Sequence, residues 1–193
     1  MRTLTLLLAL LLALPAAAAP LKLTTWNLEW FTARPQGDPA LPPDVRPKDP
    51  AAIARLRAYA DFLAADVVAM QEVDGPAMAA RLFPPDRYVL HFTADPVVQR
   101  TGFAVRRGLR FTANPDLAGL ALAPGSHLRS GADITLELPG GRLRLLDVHL
   151  KTGCRSDRLA RSDRPQCATL RLQLPALEGW IAQRRAEGVP FVL

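Results

Sequence analysis

Three short runs, rich in apolar and β-branched residues, constrain the fold of this chain most, because each carries a polar side chain at or near its end. The runs are residues 22–26, 67–70 and 143–150. Their length and composition predict buried strands. Asn27 and Glu72 follow the first two runs closely, and His149 lies within the third. Since strand ends in α/β folds converge on one edge, we expect these three groups to share a cleft.

Helical periodicity and turn chemistry predict further elements between and after these runs. An Asp-Pro pair begins a helical pattern over residues 49–63, after a Pro-rich loop. A second helix is predicted over about residues 166–186, where Pro175 should kink or divide it and Gly188 ends it. Further strands are predicted over residues 88–92, 101–105, 134–138 and from residue 189, with a hairpin turn at 139–141.

Residues 1–19 have the organisation of a secretory signal peptide. Arg2 supplies the positive charge, Leu6–Leu14 form an apolar run, and a stretch of alanines ends at Ala19. A membrane anchor is the alternative, but the apolar run is shorter than the roughly 20 residues that span a bilayer. No later segment is long enough either, so we expect no membrane span. We expect residues 20–193 to be secreted or periplasmic after cleavage near Ala19.

Cys154 and Cys167 are the two cysteines of the chain. They lie in a polar loop rich in Arg, Asp and Ser. In an oxidising compartment a pair of this kind is expected to form a disulfide. A zinc site would need further ligands close by, and the three histidines of the chain lie elsewhere. We therefore predict a disulfide that closes this loop.

The formal net charge of the chain is +6 at pH 7. A basic surface favours polyanions such as nucleic acid or anionic lipid headgroups. Because there is no long Lys/Arg run, the charge is equally consistent with arginines spread over a solvated surface. The charge alone therefore leaves both interpretations open.

The three polar side chains at the strand ends form a chemically coherent set. A hard cation such as Mg²⁺ prefers oxygen ligands, and Glu72 offers a carboxylate. Asn27 can ligate the metal or orient a phosphate oxygen without adding charge, and His149 can donate a hydrogen bond or a proton to a phosphate. Each residue alone has an ordinary explanation, as a turn residue, a solvated carboxylate or a core histidine. The hypothesis depends on their joint occurrence.

Four sequence blocks resemble the endonuclease/exonuclease/phosphatase superfamily, the family of pancreatic deoxyribonuclease. The blocks are Thr-Trp-Asn-Leu at 25–28, Asp-Val-Val-Ala-Met-Gln-Glu-Val at 66–73, Arg-Thr-Gly-Phe-Ala-Val at 100–105 and Asp-Val-His-Leu-Lys at 147–151. The two cysteines and the helix that follows resemble a secreted bacterial branch of the family. The resemblance implies an α/β fold, a four-layer sandwich of two packed mixed β-sheets flanked by helices.

The resemblance also implies roles for particular residues. Glu72 is expected to bind the metal, Asn27 to assist at the metal or the phosphate, and His149 to contact the scissile phosphate. Arg100 and Lys151 are placed to meet phosphate, with plain surface exposure as the alternative. The implied cofactor is Mg²⁺, or else Mn²⁺ or Ca²⁺.

Two motifs of the family are absent from the sequence. These are a Gly-Asp-Phe-Asn block, which would follow a strand like residues 191–193, and an Asp-His pair that supplies the general base. We therefore expect residues 20–193 to be the N-terminal portion of one domain that acts as a monomer when full length. On its own this portion is expected to be an inactive or partial fragment.

The resemblance and the charge together predict a metal-dependent phosphodiester hydrolase of nuclease type in the full-length form. Its substrate would be nucleic acid or another phosphodiester. A lipid phosphodiesterase or a phosphomonoesterase of the same superfamily is one alternative. A non-catalytic extracellular binding module is another, although such a module has no need for Asn27, Glu72 and His149 together.

Overall fold

The structure, a computed structural model, describes residues 20–155 and 158–193. The predicted signal peptide at residues 1–19 lies outside the described residues. Eight strands and three α-helices follow one another within these described residues. In order they are β1 Leu23–Phe31, α1 Pro50–Leu63, β2 Val67–Val73, α2 Gly75–Ala79, β3 Tyr88–Phe92, β4 Arg100–Arg106, β5 Arg110–Ala113, β6 Ala132–Leu138, β7 Gly141–Asp147, α3 Pro165–Glu187 and β8 Phe191–Val192, with short 3₁₀ turns at Ala118–Ala121 and Leu159–Arg161.

The strands form two four-stranded mixed sheets. The first has the order β1-β2-β4-β3, in which β1 and β2 are parallel and the other neighbours are antiparallel. The second has the order β5-β6-β7-β8, in which β7 and β8 are parallel. Because antiparallel neighbours reverse direction, the ends of β1, β2 and β7 lie near the beginnings of β4 and β6. Polar side chains from both sheets therefore meet at one end of the sandwich.

Three hydrophobic clusters hold four layers together. One lies between α1, α2 and the first sheet, and includes Ile53, Met78 and Met70. The second lies between the sheets, where Phe103 of β4 meets β6 and β7. The third lies between the second sheet and α3, and includes Trp180. The four-layer α/β sandwich predicted from the sequence is confirmed.

Helix α1 begins as its sequence predicts. The Asp49 side chain accepts a hydrogen bond from the Ala52 amide at 2.6 Å, and Pro50 occupies the first turn. Helix α3 runs through Pro175 undivided, so of the two predicted effects of this proline, a kink or a division, the division is absent. Buried side chains lie on both sides of the proline: Gln173 bonds to Lys151 and Leu120, and Leu177 packs in the cluster with Leu146 of β7. This burial offsets the roughly 3 kcal/mol that an internal proline costs.

The boundaries of two predicted strands differ from those observed. Strand β1 continues to Phe31, so Asn27 lies inside the strand and not after it. Strand β7 ends at Asp147, so His149 lies two residues beyond the strand. Strand β5 and the short helix α2 were not predicted.

The predicted disulfide is present between Cys154 and Cys167. It joins the loop after β7 to the first turn of α3. Nearby, the buried Gln173 side chain accepts from the Lys151 amide at 2.9 Å and donates to the Leu120 carbonyl at 2.7 Å. These contacts fix the segment that carries His149 against α3.

Asp147 connects the two sheets. Its carboxylate lies at the end of β7 and is only 3% exposed. It accepts hydrogen bonds from the side-chain Nε2 of Gln71 on β2 and from the backbone N–H of Gly102 on β4, the latter at 3.0 Å. Burial raises the pKa of the Asp147 carboxyl to about 8, although these hydrogen bonds oppose the shift. The folded chain therefore holds this proton at a pH at which the unfolded chain has lost it.

Stability should depend on pH through Asp147. Because its pKa is about 4 when unfolded and higher when folded, its contribution is present at low pH and is lost as pH rises from about 4 to about 8. The slope is at most about 1.4 kcal/mol per pH unit. In Asp147→Asn, urea denaturation should show a free energy of unfolding that falls less over this window than in the wild type. Equal slopes in the two proteins would contradict the prediction.

Among the residues that the structure describes, no helix is both long enough and apolar enough to cross a membrane.

Candidate active site

The three predicted polar residues meet at one end of the sandwich. Asn27 Nδ2 donates to Glu72 Oε1 at 2.9 Å, and His149 Nε2 lies 3.4 Å from the same oxygen. The side chains of Glu72 and His149 are 14% and 12% exposed, so both remain accessible to a ligand. The structure thus brings these residues together, while their catalytic roles stay predictions.

Irregular pairing in β1 and β2 aims Glu72 at this point. Asn27 pairs with Gln71 and Phe31 with Val73, so three residues of β1 face Glu72 alone. Glu29, Trp30 and Glu72 all have positive φ values, of 48°, 48° and 63°. Bulges of this kind redirect side chains, and each such residue costs about 1–3 kcal/mol. The strained turn also lets the Trp30 amide donate to Glu72 Oε2 at 3.1 Å.

Two further side chains close a ring around the site. Arg129 Nη1 lies 3.1 Å from His149 Nδ1, and Arg129 Nη2 donates to Gln99 Oε1 at 3.2 Å. Gln99 Nε2 in turn donates to Glu72 Oε2. We call Glu72, Gln99, Arg129 and His149 the polar ring. Three hydrogen bonds and the 3.4 Å contact between His149 Nε2 and Glu72 Oε1 join its four residues into one cycle.

The polar ring determines where His149 carries its proton. A guanidinium can only donate, so the Nδ1 atom facing Arg129 must accept and is unprotonated. The proton of the neutral imidazole then lies on Nε2, facing Glu72. Burial and the Arg129 charge both lower the pKa of His149, which favours this neutral form. His149 is therefore set as a hydrogen-bond donor toward the place where Glu72 lies.

Arg129 is a buried cation. It is 7% exposed, and its hydrogen bonds within the described residues go to neutral acceptors: the His149 ring and carbonyl, Gln99 and the His127 carbonyl. Its Nε is buried without a partner there. Buried charges normally have an ionic partner, so the arrangement is typical of a site that receives an anion.

Ser130, the neighbour of Arg129 in the chain, keeps the guanidinium in place. Its amide and hydroxyl both donate to Asp95, each at 2.8 Å, and its carbonyl accepts from the Thr101 hydroxyl at 2.9 Å. The segment before β6 is thereby fixed to β4 although it has no regular structure. Sequence reasoning missed Arg129 and Gln99, because no local periodicity marks either segment.

The two predicted phosphate-binding residues lie in different surroundings. Arg100 begins β4, and its guanidinium lies 3.9 Å from Asp74 Oδ1. It packs directly on Gly75, where an added Cβ would lie 2.4 Å from Arg100 Nη2, and the φ of 77° at this position favours glycine. Lys151 follows His149, and its backbone N–H is bound by Gln173. Its role at a phosphate stays a prediction.

Two cavities flank the polar ring. One, of about 550 Å³, lies between the sheets and is lined mainly by apolar residues of β1, β2 and β7, with Asn27 and His149 at its end. The other, of about 630 Å³, is polar and contains Gln99, Arg100 and Arg129 in its wall. Because its wall carries charged and hydrogen-bonding groups, the second cavity is the one suited to a polar ligand.

The metal-ligating groups at the site are few. Within the described ranges no cluster of three or more His, Cys, Asp or Glu side chains could hold a metal ion. The polar ring offers one carboxylate, Glu72, with the Asn27 amide beside it. Mg²⁺ commonly binds through one or two carboxylates and completes its shell with water and substrate phosphate. The donor set therefore fits Mg²⁺ and not a metal that needs several nitrogen or sulfur ligands.

Comparison with known proteins identifies the fold. No family model and no curated protein matches the chain. Among solved structures, TDP2 from C. elegans superimposes with a TM-score of 0.54 at 18% identity, over 84% of this chain and 44% of that one. An endonuclease/exonuclease/phosphatase family protein from Leptotrichia buccalis matches with a TM-score of 0.43 at 14% identity, over 76% of this chain and 64% of that one.

The similarity to the TDP2 structure shows that this chain shares its fold. The chain spans less than two thirds of the length of either structure.

Proposed function

We propose that this protein is a metal-dependent phosphodiester hydrolase whose active site is the polar ring together with Asn27. The observation that carries the proposal is the buried Arg129 guanidinium, which lacks a carboxylate partner among the described residues and lies against a neutral His149. A phosphate oxygen would supply the missing negative charge. The fold of the superfamily supports the same assignment.

Glu72 and Asn27 would hold the metal. When bound, a divalent cation polarises the phosphoryl group and stabilises the charge that develops on it. Glu72 is held for this purpose by hydrogen bonds from Asn27, the Trp30 amide and Gln99. Such bonds orient a ligating carboxylate and tune its basicity.

The remaining ring residues bind and orient the phosphate. Arg129 has the planar geometry and fixed charge that suit phosphate oxygens. His149 donates a hydrogen bond from Nε2 to a non-bridging oxygen, where it opposes the growing negative charge. Gln99 fixes the positions of Arg129 and Glu72 relative to each other, because its side chain forms a hydrogen bond with each.

The attacking water needs a base that the polar ring does not provide. Glu72 and His149 already bond to one another or to other ring members, and no further carboxylate or imidazole of the described residues stands in the ring. We propose that the base lies outside the polar ring.

Export of the protein is part of the proposal. A disulfide between Cys154 and Cys167 is stable in an oxidising compartment and uncommon in the cytosol. The pattern of residues 1–19 supports the same location, in the periplasm or outside the cell.

The proposal is tested on the protein expressed from its complete gene, with bis(p-nitrophenyl) phosphate as substrate. Release of p-nitrophenol is expected with Mg²⁺ or Mn²⁺, and removal of the metal with EDTA should lower the rate at least about 100-fold. Single-stranded DNA, RNA and sphingomyelin vesicles, assayed in parallel, distinguish nuclease from lipid phosphodiesterase. A protein that hydrolyses none of these substrates with any of the metals would refute the proposal, and p-nitrophenyl phosphate as the preferred substrate would assign a phosphomonoesterase.

A further inference from the structure

The polar cavity beside the polar ring, which we call the Trp30 cavity, has more binding groups than a single phosphate needs. It has a volume of about 630 Å³, within the range of cavities that bury a small ligand. Its wall contains Trp30, Arg34, Arg100 and Arg129. It therefore offers an aromatic surface and additional cations next to the place proposed for the scissile phosphate.

The charges in the wall favour an anion. Three guanidinium groups stand there with two carboxylates, those of Asp74 and Asp95. Both Asp95 oxygens are occupied by Ser130. The Asp74 carboxylate accepts from Thr32 and from Arg34, at 2.7 and 2.9 Å. The three guanidiniums therefore outnumber the two carboxylates, and three of the four carboxylate oxygens already accept hydrogen bonds.

Arg34 and Arg100 flank Asp74 and are held by it. Arg34 Nε bonds to Asp74 Oδ2, and Arg100 Nη2 lies 3.9 Å from Asp74 Oδ1. The Arg34 side chain remains 41% exposed, although its Nη1 also lies 3.5 Å from Asp38 Oδ2. Carboxylates thus hold both guanidiniums in place at the cavity, where they can meet a second phosphate.

Trp30 occupies its position at a cost in backbone strain. It follows Glu29 in a turn where both residues have a φ of 48°, a conformation that non-glycine residues rarely adopt. The same turn directs the Trp30 amide to Glu72. Trp30 thus lines the cavity while its backbone N–H contacts the proposed metal ligand. Indole rings are effective stacking surfaces for nucleobases.

We propose that the Trp30 cavity binds the nucleotide next to the scissile phosphate of a nucleic-acid strand. A base stacks on Trp30, and the next phosphate lies against Arg34 and Arg100. This assignment rests on the proposed function, since it takes the polar ring as the place of the scissile phosphate. It makes a nucleic-acid strand the substrate class.

Binding of a short fluorescein-labelled oligothymidylate, measured by fluorescence anisotropy in EDTA, tests the inference without requiring turnover. Trp30→Ala should weaken binding at least about 5-fold, the lower end of the loss from removing a stacking aromatic. Trp30→Phe keeps an aromatic ring and should recover most of the affinity. Arg34→Gln should reduce the slope of log K against log salt by about 0.7, the value for one lost phosphate contact on a single strand.

The matched control is Arg110→Gln, which removes a charge from the edge strand β5, where the side chain is 84% exposed and outside the cavity wall. It should leave the salt slope closer to that of the wild type than Arg34→Gln does. If Trp30→Ala fails to fold, Trp30→Phe and Arg34→Gln still decide the matter. Unchanged affinity in Trp30→Ala together with an unchanged salt slope in Arg34→Gln overturns the inference.

Competition by sphingomyelin vesicles, but not by unlabelled oligonucleotide, also overturns it. Hydrolysis of bis(p-nitrophenyl) phosphate, which contains no nucleoside, tests the proposed function separately, so the two failures are distinguishable.

Discussion

Replacing Glu72 by Gln is expected to lower the rate of metal-dependent phosphodiester hydrolysis by about 1,000-fold or more. Glu72 is the one carboxylate of the polar ring, so its loss removes the anionic ligand on which the proposed metal site depends. The substitution keeps the size of the side chain and also suits the positive φ of the position no worse than Glu does. The variant should therefore fold like the wild type. The effect should appear in kcat/KM for bis(p-nitrophenyl) phosphate.

Glu29 provides the matched control for this experiment. It lies in the same turn, has a positive φ as well, and its side chain is 88% exposed with only a distant contact to Lys48 at 3.9 Å. Glu29→Gln should change kcat/KM by less than about 5-fold, because exposed ion pairs contribute little. Circular dichroism and thermal unfolding establish that both variants are folded. Activity of Glu72→Gln within about 10-fold of the wild type would remove Glu72 from the metal site.

The fold could be predicted from the sequence because its central strands are encoded locally. Strands β2 and β4 are short apolar runs between turn residues, and the residue patterns around Asp49 and Gly188 mark helix ends by capping chemistry. The elements that were missed have no such local signal. Strand β5 is a four-residue edge strand, mostly exposed, and it exists because it pairs with β6. Helix α2 has five residues, too few for a periodic pattern.

The candidate site could be predicted only in part, for a related reason. Asn27, Glu72 and His149 lie in or next to strand runs, so their positions follow from the sheets. Arg129 and Gln99 lie in irregular segments, and their partners are distant in sequence: Arg129 contacts His149, and Gln99 contacts Glu72. Only the packing of the two sheets brings these groups together. The unusual backbone at Glu29 and Trp30 depends on the irregular pairing of β1 with β2, and no residue pattern in the sequence predicts that pairing.

Asp133 of β6 is a charged residue in a strand and yet is only 2% exposed. Its carboxylate accepts from the Arg144 guanidinium, with Nη2 at 2.8 Å, from Trp180 Nε1 at 2.7 Å and from Asn114 Nδ2 at 2.9 Å. The partners lie on β7, on α3 and just after β5. One buried carboxylate on β6 therefore holds β7, α3 and the segment just after β5 together.

Asp133→Ala is expected to lower the free energy of unfolding by about 3–5 kcal/mol, because removing one member of a buried ion pair leaves the other charge uncompensated. Arg144, whose side chain is 18% exposed, would lose its carboxylate, and the buried Trp180 N–H would lose its acceptor. Urea denaturation gives the change directly. The control is Glu137→Ala on the same strand, whose ion pair with Arg110 is exposed and should contribute about 0–1 kcal/mol. Asp133→Asn keeps an acceptor for Trp180 and should fall between the two. A loss below about 1 kcal/mol in Asp133→Ala, comparable to that of an exposed pair, would show that the Asp133 cluster is not what holds α3 to the second sheet.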